Sequence, residues 1–213
     1  MNFGDAFAFV FNDKDWFKKI LIMGLVGLIP IIGQIVVLGW SVQITRNIIR
    51  HEPVTLPELD FSNNLTLGFK AWVISLVYYL PIIIFSLPLM IIGVVSDNMN
   101  SDTSVILLIA SLLFGGLMFL YGVVMMFLLP AAYGKLADQD TIGAGLEFGE
   151  VFQLIRKTPV SYLIVVLGSL VAGIIAPIGT VAFGIGLILT STYALAIMGH
   201  FYGQAYNEAK ALN

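Results

Sequence analysis

The chain contains no cysteine. Disulfides, thiolate nucleophiles, Cys-ligated zinc and iron–sulfur clusters are thereby excluded together. Charge is scarce as well: Asp, Glu, Lys and Arg make up 11% of the 213 residues, against roughly a quarter in soluble domains. The ten Lys and Arg form no long run, so no nucleic-acid partner is expected. The two histidines, His51 and His200, have no acidic cluster beside them in sequence and do not make a zinc site. No nucleophile elbow, phosphate loop or HExxH pair occurs. A cleavable leader is not expected: Met1-Asn-Phe-Gly-Asp5 lacks a basic start, and Ala6–Phe11 is too short for an apolar segment.

What is plentiful is apolar. Hydrophobic residues make up 59% of the chain, and mean hydropathy is +0.97. A water-soluble core cannot absorb that much apolar surface, so lipid is the expected solvent. Ala71–Val95 and Val105–Ala132 carry no charge, and each exceeds the roughly 20 residues that cross a bilayer. Val160–His200 is too long for one span and breaks at Ala176-Pro177-Ile178-Gly179, so it reads as two helices with a tight turn. Ile20–Thr45 is interrupted at Pro30-Ile-Ile-Gly33. It reads as one kinked helix or as a short hairpin, the latter spanning or re-entrant.

Basic residues arbitrate between these readings. With a hairpin, all ten Lys and Arg fall on one side, and the opposite loops Pro30–Gly33, Ser96–Thr103 and Pro177–Thr180 hold none. With a single first helix, Lys14, Lys18 and Lys19 stand opposite the other seven. Cytoplasmic loops collect Lys and Arg. The expected fold is therefore an all-α polytopic membrane protein with six transmembrane helices, both termini cytoplasmic, in the cell membrane.

Gly4-Asp-Ala-Phe7-Ala-Phe-Val10-Phe11 matches Gly145-Leu-Glu-Phe148-Gly-Glu-Val151-Phe152 in the spacing of Gly, Phe, Val and Phe. In each, Phe, Val and Phe fall at i, i+3 and i+4, one helical face. Each segment precedes basic residues and a hairpin broken by Pro and Gly. This predicts amphipathic interfacial helices and an internal helical-hairpin repeat. The expected repeat-like units are 1–51, 52–135 and 136–213, within a single integral membrane domain 1–213.

No Asp, Glu, Lys or Arg lies deep inside the last four spans, which argues against proton coupling. Gln43 and Asn47 share one face of the second span, and Arg46 and Arg50 a neighbouring one. They line a polar cavity open to the cytoplasm, or they make interhelical hydrogen bonds. His200 sits where the last span ends, within Gly199-x-x-x-Gly203, a spacing that permits close helix packing. Asp13-x-Asp15 and Asp138-x-Asp140 are candidates for Mg²⁺ and lipid-phosphate chemistry. Further acidic or Arg partners at helical spacing are missing, so solvated charge runs are expected instead. Trp16, Trp40 and Trp72 suit aromatic anchoring at the membrane surface.

The runs Asp13-Lys-Asp-Trp16-Phe-Lys18-Lys19-Ile20, Leu28-Ile-Pro30-Ile-Ile-Gly33, Arg46-Asn47-Ile-Ile-Arg50, Leu56-Pro57-Glu58-Leu-Asp60 and Phe148-Gly149-Glu150-Val151 resemble a prokaryotic membrane family. It is the domain of unknown function number four thousand and thirteen. The resemblance covers essentially the whole chain and implies a multi-spanning membrane protein. It carries no established activity, cofactor or site residue. Gln43, Arg46, Asn47, Arg50, Glu58, Asp60 and His200 form the candidate polar cluster, with a loop-to-helix network expected around the first cytoplasmic loop.

The expected function is non-enzymatic, without cofactor or metal. It is a scaffold or accessory subunit that organises membrane lipids, further copies of itself or a membrane-protein partner. The alternative is a small transporter or channel for neutral or lipid-like solutes, and the third a lipid-modifying enzyme using the juxtamembrane aspartates. A transporter needs a continuous cavity lined by Gln43, Ser191 or His200. A scaffold needs a packed interior and an exposed partner surface.

Overall fold

The computed structural model describes residues 1–52, 55–95, 101–182 and 185–212. Among them there are helices and turns and no strand. The α-helices are α1 (Asp5–Ala8), α2 (Trp16–Gly27), α3 (Ile32–Ile49), α4 (Phe61–Val95), α5 (Ser101–Gln139), α6 (Ile142–Gly145), α7 (Phe148–Lys157), α8 (Pro159–Ile178) and α9 (Ile185–Lys210). A 3₁₀ turn follows α1 at Phe9–Asn12, and another follows α8 at Gly179–Ala182. The expected opposite loop at Ser96–Thr103 lies partly outside the described residues.

The chain divides into two compact units: Met1–Ile74 with Phe127–Asn213, and Ser75–Met126. The second unit holds the distal part of α4 and the proximal part of α5. Its apolar side chains face outward: Ile84, Leu87, Met90, Ile106, Leu112 and Phe119 are all exposed. In the long apolar windows of both α4 and α5, only 6% of residues are buried. Such a surface suits contact with lipid. Within this unit the Tyr121 hydroxyl donates to the Tyr78 carbonyl at 2.9 Å, joining α5 to α4.

The first unit has the dense core. Phe9, Val10, Ile20, Met23, Val36, Trp40, Ile44 and Leu56 pack together, with Ala196 of α9 among them. Trp40 is fully buried, and its indole N–H donates to the Pro57 carbonyl at 3.0 Å. That bond fixes the loop before α4 onto α3. Helices α3 and α4 then cross at bare backbone: a Cβ on Gly39 would lie 1.8 Å from the Asn64 carbonyl oxygen, and one on Gly68 would lie 1.8 Å from that of Ile35.

Three described helices are long and apolar enough to cross a membrane: Phe61–Val94, Val105–Gln139 and Pro159–Ile178. The break expected near Pro177 is present, because α8 ends at Ile178 and a 3₁₀ turn follows. The Ile20–Thr45 segment is two helices rather than one kinked rod, with α2 and α3 packed on each other. The 12 residues of α2 reach about 18 Å, well short of the roughly 30 Å of hydrocarbon. The turn between them is apolar and outward: Leu28, Ile29, Ile31 and Ile32 are all exposed. Ile31 takes φ 65, a left-handed conformation that β-branched residues rarely adopt.

Candidate functional site

The polar chemistry of the first unit gathers at the helix ends. Helix α9 runs along α3 and α8 and also touches α2. Its contact with α3 is backbone-close. A Cβ on Gly199 would lie 2.4 Å from the Ser41 carbonyl oxygen, and one on Gly203 would lie 2.6 Å from the Ile48 Cβ and 2.9 Å from the Thr45 carbonyl oxygen. Hydroxyls lace the seam. Ser41 Oγ donates to the Leu195 carbonyl at 2.8 Å, and Thr45 Oγ1 donates to that of Gly199 at 2.9 Å. The glycines open the space, and the hydroxyls satisfy polar groups that water cannot reach.

Asp140 joins three helix ends. Its carboxylate accepts from Arg46 Nη2 at 2.7 Å and from Lys70 Nζ at 3.0 Å, while Arg46 Nε donates to the Ala137 carbonyl at 3.0 Å. The end of α3, the start of α4 and the end of α5 therefore meet at one carboxylate. Burial opposes the charge on Asp140, but the hydrogen bonds and field of Lys70 and Arg46 hold its carboxyl below the ordinary range.

Asp13 is a second hub and is almost fully buried. It accepts from Lys19 Nζ at 2.8 Å, from the Asp15 N–H at 2.8 Å and from the Leu56 N–H at 3.0 Å. Lys19 also donates to the Leu56 carbonyl at 2.7 Å and pairs with Glu58 at 3.0 Å. Burial pushes the Asp13 carboxyl up, yet Lys19 and the two backbone donors outweigh it and its pKa is lowered. The expectation of solvated charge runs is corrected for Asp13 and Asp138, while Asp15 is exposed as expected. Asp13 closes a loop against the core, and Asp138 accepts from Tyr206 Oη at 2.9 Å and pairs with Lys210 at 2.8 Å. Among the described residues, no group of three His, Asp or Glu is placed to hold a metal ion.

Lys135, only 2% exposed, donates to both Glu147 and Glu150. It fastens α7 to the end of α5. The face of α7 expected to be apolar is divided in its exposure. Val151 is 0% exposed and Leu154 is buried, but Phe152 is 54% exposed and Phe148 is also outward. The apolar arc is wider than the protein covers. The N-terminal segment repeats the split, with Val10 at 0% and Phe11 at 55%.

The candidate polar cluster resolves into separate sites. Asp60 Oδ1 accepts from the Asn63 N–H at 3.1 Å at the start of α4, Asn63 Nδ2 donates to Gln43 Oε1 at 3.3 Å, and the Asn47 amide, oriented to satisfy its neighbours, donates to the Gln43 carbonyl at 3.1 Å and to Glu52 at 3.2 Å. Arg46 belongs to the Asp140 hub and Glu58 to the Asp13 hub. Arg50 is exposed, with no ion pair among the described residues.

His200 stands apart from all of these. It lines a cavity of about 500 Å³ with His51, Asp5, Glu52, Gln204 and Glu208. A second cavity, of about 390 Å³, lies between α2, α3 and α9, with Gln34, Ser191 and Thr192 among apolar walls. Sequence reading did not foresee Asp13, Asp140 or Lys135 as hubs. Their partners lie on other helices or across loops, and no periodic spacing announces them.

The family model described as "Protein of unknown function (DUF4013)" matches residues 22–190, and the chain belongs to that family. No curated protein and no solved structure matches the chain.

Proposed function

We propose that this family member is a multi-spanning protein of the cell membrane that acts without catalysis, as a scaffold or accessory subunit organising lipid or a membrane-protein partner. The observation that carries this reading is the half-covered apolar arc of α7. Val151 and Leu154 are sealed against the protein, while Phe148 and Phe152 face out. Arg156 and Lys157 follow at the end of the same helix. An in-plane helix of this kind holds apolar side chains in the acyl boundary and basic ones among headgroups. Phe11 in the N-terminal segment offers a similar contact, as an internal repeat would.

In this reading, the α2–α3 and α8–α9 hairpins enter the bilayer from the cytoplasmic side, giving six membrane segments with both termini cytoplasmic. Asp140 supports that sidedness, because it ties Arg46, Lys70 and the end of α5 at one place. Three of the four acids that lipid-phosphate chemistry would use are paired: Asp13 with Lys19, Asp138 with Lys210, Asp140 with Arg46 and Lys70. This favours a non-enzymatic role.

Passage of a neutral or lipid-like solute is the second reading, and the two cavities favour it. One reaches Ser191 and Leu195 and the other reaches His200, a gap of about 7 Å along α9. The α3–α9 seam lies along that gap.

Extraction in native-lipid polymer discs followed by mass spectrometry tests the proposal. A scaffold co-purifies with a defined lipid set or a partner protein, and Phe148→Ser with Phe152→Ser depletes it. Recovery of the chain with bulk lipid alone, unchanged by the double variant, contradicts the reading.

A further inference from the structure

The cavity beside His200 contains unmatched groups of two kinds. The Asn2 N–H donates to Gln204 Oε1 at 3.0 Å, which fixes the orientation of that amide. Gln204 Nε2 then faces His200 Nδ1 at 3.0 Å as the donor. A neutral imidazole that accepts at Nδ1 carries its proton at Nε2, so the hydrogen-bond network assigns the tautomer. The ring lies against Phe9, with centroids 4.5 Å apart and planes tilted by 32°. His200 is 3% exposed, and its Nε2–H has no hydrogen-bond partner among the described residues.

The second kind is anionic. Glu208 in this cavity is occupied, because it accepts from the Met1 ammonium and from Ser161 Oγ. Asp5 and Glu52 line the same space as exposed carboxylates; Glu52 accepts only from the neutral Asn47 amide, at 3.2 Å, and neither makes an ion pair among the described residues. A metal ion does not fit, since no three ligating groups converge. A simple anion satisfies the histidine but meets two carboxylates. A simple cation satisfies the carboxylates and leaves the histidine donor empty. A ligand with both charges answers both needs. The volume, about 500 Å³, lies within the usual range of small-molecule sites.

We propose that this cavity binds a zwitterion, with an oxyanion on His200 Nε2–H and a primary ammonium between Asp5 and Glu52. That is the chemistry of a phosphoethanolamine group, whether free or at the head of a membrane lipid. The inference rests on the cavity and stands apart from the scaffold reading.

The test uses the full chain in two arms. In the first, discs of phosphatidylglycerol are titrated calorimetrically with O-phosphoethanolamine. In the second, discs of mixed phosphatidylethanolamine and phosphatidylglycerol are read by native mass spectrometry for retained lipid. Asp5→Asn with Glu52→Gln changes exposed side chains and should leave folding intact. Gln204→Leu releases the tautomer without removing the ring. Each is expected to weaken binding at least tenfold, with Lys210→Met unchanged. Phosphocholine, which has no N–H donor, should bind at least tenfold more weakly than phosphoethanolamine. Binding in the first arm identifies a free ligand, and selective retention in the second alone identifies a lipid headgroup. Binding in neither arm, or equal binding by the double variant, overturns the proposal.

Discussion

Replacing Gly199 by alanine places a methyl group where the structure has none to spare. Its Cβ would sit 2.4 Å from the Ser41 carbonyl oxygen and 3.3 Å from the Ile44 Cβ. The near atom is backbone, so α3 and α9 must separate. Overpacking of this kind costs about 1–3 kcal/mol. Separation also weakens the Ser41–Leu195 and Thr45–Gly199 bonds, worth about 0.6 kcal/mol each in membrane proteins. The steric and hydrogen-bond losses sum to about 2–4 kcal/mol. Against them stands the helix-propensity gain of Gly→Ala, about 1 kcal/mol. Gly122→Ala isolates that gain, because nothing lies within 4 Å of its Cβ position. The two variants should therefore differ by about 2–4 kcal/mol, or roughly 4–16 °C in melting temperature for a chain of this size. Thermal unfolding in one detergent, followed by tryptophan fluorescence with Trp40 on α3, measures it. Melting points within about 1 °C of each other would refute the packing argument.

Asp13 has a lowered carboxyl pKa, so its contribution is present above the ordinary value of 3.8 and is lost as pH falls through the folded value. Wild type should lose stability on acidification below about pH 4, while Asp13→Asn should be less stable at pH 7 and flatter through that limb in a pH series of unfolding midpoints. Lys135→Met removes both links from α5 to α7; hydrogen exchange across Phe148–Lys157 should accelerate while α9 keeps its protection, and unchanged exchange would show that the ion pairs do not hold α7. Trp40→Phe keeps an aromatic ring but loses the fused pyrrole ring and its bond to Pro57, with an expected cost above the roughly 1 kcal/mol of the hydrogen bond alone because a cavity is left as well, read in a denaturant titration.

Much of the helical layout follows from length, charge and proline alone. Pro30 with Gly33 marks the α2–α3 turn, and Pro177 with Gly179 marks the end of α8. The Gly199-x-x-x-Gly203 spacing pointed to close packing, and α3 is what it packs on. Other features were out of reach. Periodicity placed Phe148, Val151 and Phe152 on one face but could not divide that face between protein and lipid, because both are apolar solvents for a side chain. Arg46 was read with its neighbours Glu58 and Asp60, yet its partner Asp140 is 94 residues away. Local density of charge does not reveal which helix ends meet. The cavity at His200 assembles His51, Asp5 and Glu208 from three separate elements, and no linear pattern carries that.

The central claim is that the basic helix ends gather on the cytoplasmic side of the membrane. The chain has no cysteine, so single engineered thiols report without background. In intact cells an impermeant maleimide should label Asn98→Cys and leave Glu52→Cys unmodified until the cells are opened. Labelling of Glu52→Cys from outside, alone or together with Asn98→Cys, would contradict the account.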